Sequence, residues 1–508
     1  MDVAQTLLAI IPIVWLILSL GVFKMRGDLA CLIGLGITIV LSIVGFSFPV
    51  MHSITAALEG ITMAIWPIVY VIIAAVFIYN VSKESGGMDT IMKMLTSISS
   101  DLRILVLLLA WGLGGFLEAV AGFGTAVAIP ASILAVLGMS PVKAAVICLI
   151  ANTTPTAFGA IGLPVATLSQ VTGLEVKQLS YTVSIQLFIL IILIPFILVA
   201  LTEDKGFKSI KGVFGITLVS GLAFAIPQVF ISKYLGAELP SIVGSIVCIF
   251  LTVLIAKKMS SEEEKASAEK VSTSDGIKAW IPFILVFIFI IFSSSLFPVI
   301  NQALSSIRTE FPIYIGEGAK PYSIVWLTSP GTLILLATFI GGRVQGLTFG
   351  QILGILGKTV KQMGKTMITV GSIVGLSKVM GYSGMIDIIA VSLVTMTGSF
   401  YPFIAPIIGA LGTFITGSDT SANVLFGELQ VQAAHSLKVD PFWLAAANMA
   451  GATAGKMISP QSIAVATGAT GLVGEEGNIL KQAMKYCAIY TLIICMVVFA
   501  LGKALGKI

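Results

Sequence analysis

Apolar runs of about 20 residues recur from one end of the chain to the other, at residues 5–23, 29–48, 179–201, 279–297 and 486–501, and at 244–256 with its upstream flank. Each is long enough to cross a hydrocarbon core of roughly 30 Å as a helix. The alternating segments of about 10 residues that a transmembrane β-barrel needs do not occur. The pattern therefore predicts an all-α polytopic membrane protein of roughly 12–14 transmembrane helices. Four segments break the apolar pattern with Gly, Pro and hydroxyl residues: LEAVAGFGT (117–125), ANTTPTAFGAIGLP (151–164), TGSDTSAN (416–423) and ANMAGATAGKMISPQS (447–462). Backbone that leaves the helix at membrane depth persists only where protein buries it or where it lines a cavity. These four are thus expected to be broken or re-entrant segments.

Two of the four resemble the other two. NVSKESGGMDTI (80–91), a span and VAGFGT (120–125) reappear as KVMGYSGMIDII (378–389), a span and ITGSDT (415–420). Asn152, Gly159 and Pro164 are matched at the same spacings by Asn448, Gly455 and Pro460. Two correspondences in one order, at a separation of about 296 residues, predict an internal repeat. Its halves would be 1–204 and 279–508, joined by two further helices and a charged loop within 205–278.

Charge sets the expected orientation. With the amino terminus outside, about 19 of the 29 Lys and Arg residues fall in cytoplasmic loops against roughly eight outside. Lys24, Arg26, Lys205, Lys265 and Lys270 are among the inner set, and Lys143 and Lys456 lie in spans. The polar stretch MSSEEEKASAEKVSTSDG (259–276) is expected to be a solvated cytoplasmic linker. The first helix then runs inward and its partner after the linker outward, so the repeats are expected to be inverted, an arrangement of many secondary transporters.

Composition narrows the class. Of 508 residues, 57% are hydrophobic and only 10% charged, against roughly 25% charged in soluble proteins. The net charge of +5 is read as topology rather than nucleic-acid binding. MDVAQT lacks a basic n-region, so the first helix is expected to remain in the mature protein. The five cysteines sit in apolar runs without metal-ligand spacing and read as packing residues. There is no Walker A sequence, and no serine hydrolase or metalloprotease motif, so the chain reads as neither an ATP-driven pump nor an enzyme.

Paired helix breaks in two inverted halves point to a substrate site near the midplane. A helix restarted there presents unpaired N–H groups and a partial positive charge, which suits a carboxylate. Gly122, Gly124 and Gly417 permit close backbone approach, while Thr125, Thr153, Thr154, Ser418, Thr420, Ser421 and Asn423 offer hydroxyl and amide groups. Small residues also occur at ordinary membrane-helix contacts, and it is the doubling of the pattern that favours a site. Three ionisable residues lie in these segments: Glu118, Asp419 and Lys456. Intramembrane charges usually line a pathway or pair with each other. Lys456 is expected either to compensate a bound carboxylate or to pair with Asp419 or Glu118. Glu118 and Asp419 are candidate proton carriers, with a half-helix cap as the alternative for Asp419. Glu428 is expected near a helix end, without a role. His52 and His435 are expected at loops or the membrane edge, with no metal site and no cofactor.

At these segments the chain resembles the lactate permease family, on FLEAVAGFGTAVAI, CLIANTTPTAFGAIGLP, TGSDTSANVLFG and GKMISPQSIAVA. The resemblance covers most of the chain. It implies uptake of L-lactate, with D-lactate and glycolate, in symport with protons across a bacterial inner membrane. Residue by residue it points to Glu118, Gly122, Gly124, Asn152, Thr153, Pro155, Thr416, Asp419, Thr420, Asn423, Lys456, Ser459 and Gln461. The chain departs from the family where AVAGFG replaces GAAGFG and NTTPT replaces NTAPV, which bears on site size and polarity. The reading is a proton-coupled permease for a small 2-hydroxy monocarboxylate. Its substrate contacts are expected at Gly122, Gly124, Thr125, Asn152, Thr153, Thr416, Gly417, Ser418, Thr420, Asn423, Lys456, Ser459 and Gln461, with proton coupling at Glu118 and Asp419. A sodium-coupled carboxylate transporter and a passive anion channel are the alternatives.

Overall fold

The computed structural model describes residues 3–16, 18–19, 23, 25–120, 122, 124–203, 206–259, 271–293, 297–316, 319, 321–472 and 475–508. Lys24, Lys205, Lys265, Lys270 and most of the polar linker lie outside them. Among the described residues nine helices are long and apolar enough to cross a membrane, from Gly27–Phe46 to Glu476–Ala504, and the bent pair Pro141–Ala151 and Thr154–Thr172 forms a tenth. Shorter apolar helices Ala4–Leu16, Thr125–Val136 and Pro330–Val344 accompany them. The protein is a multi-pass membrane protein.

The helices form because long apolar runs satisfy their backbone internally where water is absent. One element departs from the all-helical expectation. Arg308–Phe311 pairs antiparallel with Tyr322–Val325, in a half-polar stretch between Pro298–Ser305 and Pro330–Val344 that is largely exposed. Without a helical apolar stripe, its backbone is satisfied by a hairpin instead.

Packing exchanges the two halves of the chain. Tyr70–Glu84 packs on Pro330–Val344 and Phe349–Gln362, while Gly364–Tyr382 packs on Gly27–Phe46 and Val50–Met63. Gly60 meets Gly375 so closely that a Cβ at Gly60 would stand 2.6 Å from the Gly375 Cα. The loops opening the similar stretches share a conformation: Gly86 and Gly384 both take left-handed dihedrals, φ 75° and 78°. Both precede a helix with Asp in its first turn, Asp89 and Asp387.

The helix breaks fall close to the segments read from sequence. Leu102–Val120 gives way through Gly122 and Gly124, at φ 62° and 86°, to Thr125–Val136. Tyr401–Thr416 ends at Gly417, φ 72°, before Asp419–Leu437. The third break spans a 3₁₀ turn, Thr154–Phe158, and a left-handed run at Ala160, Ile161 and Gly162. The fourth is narrower than expected. Pro441–Ile458 stays helical through Asn448 and breaks only at Ser459 and Pro460, because ANMAGATAGKM contains no proline, whereas Pro155 interrupts the first-half counterpart. Glu428 sits in the middle of Asp419–Leu437 rather than near its end, since no helix-breaking residue follows it before Lys438.

Candidate functional site: a polar cavity where the helix breaks meet

The two broken helices of the second half are pressed backbone to backbone. A side chain at Gly451 would overlap the Pro406 carbonyl, and one at Gly455 the Ala410 carbonyl. This clamps Tyr401–Thr416 against Pro441–Ile458 and fixes the break at Gly417 beside Lys456. The short helix Pro460–Thr470 then packs on Thr125–Val136. A Cβ at Gly124 would lie 2.9 Å from Val465, and one at Gly417 would overlap the Gln461 carboxamide. One helix therefore touches the breaks of both halves.

Between these breaks lies a cavity of about 90 Å³. Glu118, Gly122 and Gly124 line it from the first half, and Gly417, Ser418, Asp419, Thr420, Lys456 and Gln461 from the second. Thr156, Gly159, Ala160, Leu163, Pro164, Ser462 and Val465 complete the wall; sequence reasoning marked Gly159 and Pro164 as repeat positions but named none of the seven as a substrate contact. Most lie inside the segments it identified, but were passed over because selection there followed polarity. Val465 could have been found from Gln461, four residues before it on the same helix face.

The remaining expected residues stand behind the wall. Thr125 donates to the Gly122 carbonyl at 2.9 Å, and Thr153 to Ile150 at 2.8 Å. Thr416 shapes the turn by donating to Gly412 and accepting from the Ser418 amide, at 2.8 and 3.3 Å. Ser459 caps Pro460–Thr470 by accepting from the Ser462 amide at 3.3 Å. Asn152 is buried beside Glu118, its carbonyl oxygen without a hydrogen bond. Asn423 is tied into a buried network. It donates to the Pro164 carbonyl at 3.0 Å and accepts from Asn448 at 3.0 Å, and Asn448 in turn accepts from Gln430 at 3.4 Å.

The electrostatics are unusual for a membrane interior. Lys456 Nζ donates to the Gly417 carbonyl at 2.8 Å and forms none of the ion pairs found among the described residues. An ammonium has three protons to donate, and Lys456 also lines the cavity. Glu118 Oε2 and both oxygens of Asp419 are buried without a hydrogen bond, although Asn152 lies beside Glu118 and the hydroxyls of Thr156 and Thr413 beside Asp419. Asp419 opens its helix at the first position and Ser418 is the cap, accepting from Ser421 at 3.3 Å. Two helix starts, at Asp419–Thr420 and Gln461–Ser462, border the cavity and supply the partial positive charge of unpaired amides. The arrangement can hold a small anion: one cation, two helix N-termini, and hydroxyl and amide groups at short range.

Comparisons with known proteins show the family. The family profile for L-lactate permease matches residues 5–505. A curated L-lactate permease of Streptococcus iniae is 65% identical over 443 residues, covering 87% of this chain and 93% of its own. Glycolate permease GlcA of Escherichia coli (strain K12) is 35% identical over 96% of this chain and 94% of its own length. The L-lactate permease of Bacillus subtilis (strain 168) is 34% identical, covering 97% and 95%. Among solved structures, the Neisseria gonorrhoeae efflux pump MtrF aligns with a TM-score of 0.48 at 14% identity, over 88% of this chain and 83% of its own. Homologues matched along nearly the whole chain are thus permeases rather than enzymes, and the chain belongs to the L-lactate permease family.

Proposed function

We propose that this chain is a secondary transporter that takes up L-lactate, together with D-lactate and glycolate, in symport with protons across the bacterial cytoplasmic membrane. The observation that carries this reading is the small cavity in which Lys456 and two helix N-termini meet the carboxyl groups of Glu118 and Asp419, three of whose four oxygens are buried without a hydrogen bond. In it the substrate carboxylate rests on Lys456 and the amides at Thr420 and Gln461. The 2-hydroxyl bonds to Thr420, Gln461, Ser462 or Thr156. Glu118 or Asp419 carries the proton, so that an anion and a proton cross together without net charge.

Alternating access follows from an inverted repeat of 1–204 and 279–508. The reciprocal packing of Tyr70–Glu84 and Gly364–Tyr382 on the opposite half supports that division, as do the matched turns at Gly86 and Gly384. The test is uptake of labelled L-lactate into proteoliposomes under an imposed inward proton gradient, with and without sodium, and with a protonophore. Accumulation that needs the proton gradient and not sodium supports the reading. Accumulation that follows sodium at fixed pH overturns the choice of coupling ion, and flux without accumulation or counterflow makes the protein a passive channel.

A further inference from the structure

A second cavity, of about 520 Å³, lies away from the helix breaks. One wall is the rigid pair Val50–Met63 and Gly364–Tyr382, joined at Gly60 and Gly375. The opposite wall comes from the far end of Gly159–Thr172 and the middle of Asp419–Leu437, two helices that begin at the transport cavity. The hairpin lies at its rim: Tyr322 lines it and donates to the Trp66 carbonyl, while Tyr314 stacks on Tyr382 with centroids 3.8 Å apart. In the orientation set by the basic loops this mouth faces outward.

Three carboxylates from three different helices line this chamber: Glu59, Asp387 and Glu428. Lys378 is the one cation among the lining residues, and it is already paired with Glu59 at 3.0 Å, which also accepts from Tyr382 at 2.9 Å. The chamber's lining residues therefore carry three carboxylates against one ammonium. A net negative vestibule repels a free carboxylate and concentrates protons.

A polar seam joins the chamber to the transport cavity. On Gly159–Thr172, Pro164 lines the inner cavity and Gln170 the outer one. Thr167 falls between them at successive three-residue steps, so the three occupy one face of the helix. Thr167 is 1% exposed, and its hydroxyl has no hydrogen bond, nor does Gln170 Oε1. Thr172, further along the same helix, donates instead to the carbonyl of Leu168 at 2.6 Å. Buried polar atoms left in this way are satisfied by ordered water. The seam covers the nine-residue interval from Asp419 to Glu428, about 13 Å of helix rise.

Building on the proton-symport reading, we infer that the outer chamber is the proton entrance: Glu428 takes a proton from the external solution and passes it, through water held at Gln170 and Thr167, to Asp419. Each transfer moves one proton from oxygen to oxygen, returning Glu428 to its carboxylate and neutralising Asp419. The groups facing Glu428 are Gln432 and His435 on its own helix, Asp387 on Met385–Thr397 and Lys378 on Gly364–Tyr382. Glu59, Tyr322 and Tyr382 form the adjoining cluster. Those facing Asp419 are Glu118, Lys456 and Tyr490.

The test is Glu428→Gln and Thr167→Val in proteoliposomes, read by two assays against wild type. The first is initial lactate uptake as external pH is varied at fixed internal pH. The second is lactate counterflow at equal pH, which requires no proton release. The expected result is uptake at neutral external pH about tenfold slower, with counterflow kept within about twofold. Glu428→Asp should restore most of the lost rate. An unchanged external-pH profile in both variants, with wild type still proton-driven, overturns the inference. So does equal loss of uptake and counterflow, which would assign these residues to the substrate path or to folding. Wild-type uptake indifferent to protons would remove the symport reading itself.

Discussion

Replacing Lys456 by Met keeps the length of the side chain and removes the one basic group among the residues lining the transport cavity. Two losses follow, and they separate experimentally. The Gly417 carbonyl loses its donor at 2.8 Å, and a buried acceptor left unpaired costs about 1–3 kcal/mol of stability. The bound carboxylate loses its counter-charge and up to two charge-assisted hydrogen bonds. Truncating one partner of a buried, hydrogen-bonded charge pair costs about 2–5 kcal/mol. At 1.4 kcal/mol per tenfold, even the lower half of that range weakens binding about thirtyfold or more. The assay is the concentration dependence of L-lactate counterflow, normalised to folded protein, with a thermal midpoint measured alongside. Lys456→Arg retains the charge but crowds a cavity of about 90 Å³, so it should fall between wild type and Lys456→Met. A half-saturation within about threefold of wild type in Lys456→Met would refute the placement of the carboxylate beside this ammonium.

Glu118→Gln should abolish accumulation while sparing exchange of labelled for unlabelled lactate; normal pH-driven accumulation would take Glu118 off the proton path. Gly159→Ala tests the same carboxyl from its neighbour. The new Cβ would stand 2.7 Å from Glu118 Oε1 without backbone strain, so accumulation should fall while the protein folds, and an unaffected variant would show that the carboxyl is free to move. Asn423→Ala strips the hydrogen bonds to Pro164 and Asn448. It should lower stability by about 1–3 kcal/mol, read as a drop in the thermal midpoint, and leave the half-saturation for lactate near wild type. A large change in half-saturation at unchanged stability would instead put Asn423 in contact with substrate.

The helix breaks were legible in the sequence because each requires something an apolar helix does not. Gly124 and Gly417 sit at left-handed dihedrals that glycine adopts without cost, and Pro155 and Pro460 cannot continue a hydrogen-bonded turn. Such residues stand out in a run of Leu, Ile and Val. The same signal does not say which side of a break faces the cavity. Ala160 and Ile161 adopt left-handed dihedrals, φ 44° and 58°, without being glycine. That turn brings Gly159, Ala160, Leu163 and Pro164 to the wall, while Thr153 and Asn152, more conspicuous by polarity, stay behind it. The outer chamber was less legible still. Glu59, Lys378, Asp387 and Glu428 come from separate helices, and only the exchanged packing of the two halves brings them together.

That exchange bears on how the two cavities work together. Glu59 and Lys378 belong to helices held to each other at the Gly60–Gly375 contact, and their ion pair lies on the wall those helices form. The helices facing that wall, Gly159–Thr172 and Asp419–Leu437, start at the transport cavity and reach the chamber at Gln170 and Glu428. They are held to each other where Gly427 admits Leu168, with a Cβ at Gly427 only 2.5 Å from it. A displacement of the helix breaks would therefore act on Gln170 and Glu428, and also on the wall, since the Ser377 hydroxyl donates to the Val424 carbonyl at 2.7 Å. Under the proposed symport, the geometry of the inferred proton entrance would then depend on the state of the substrate site.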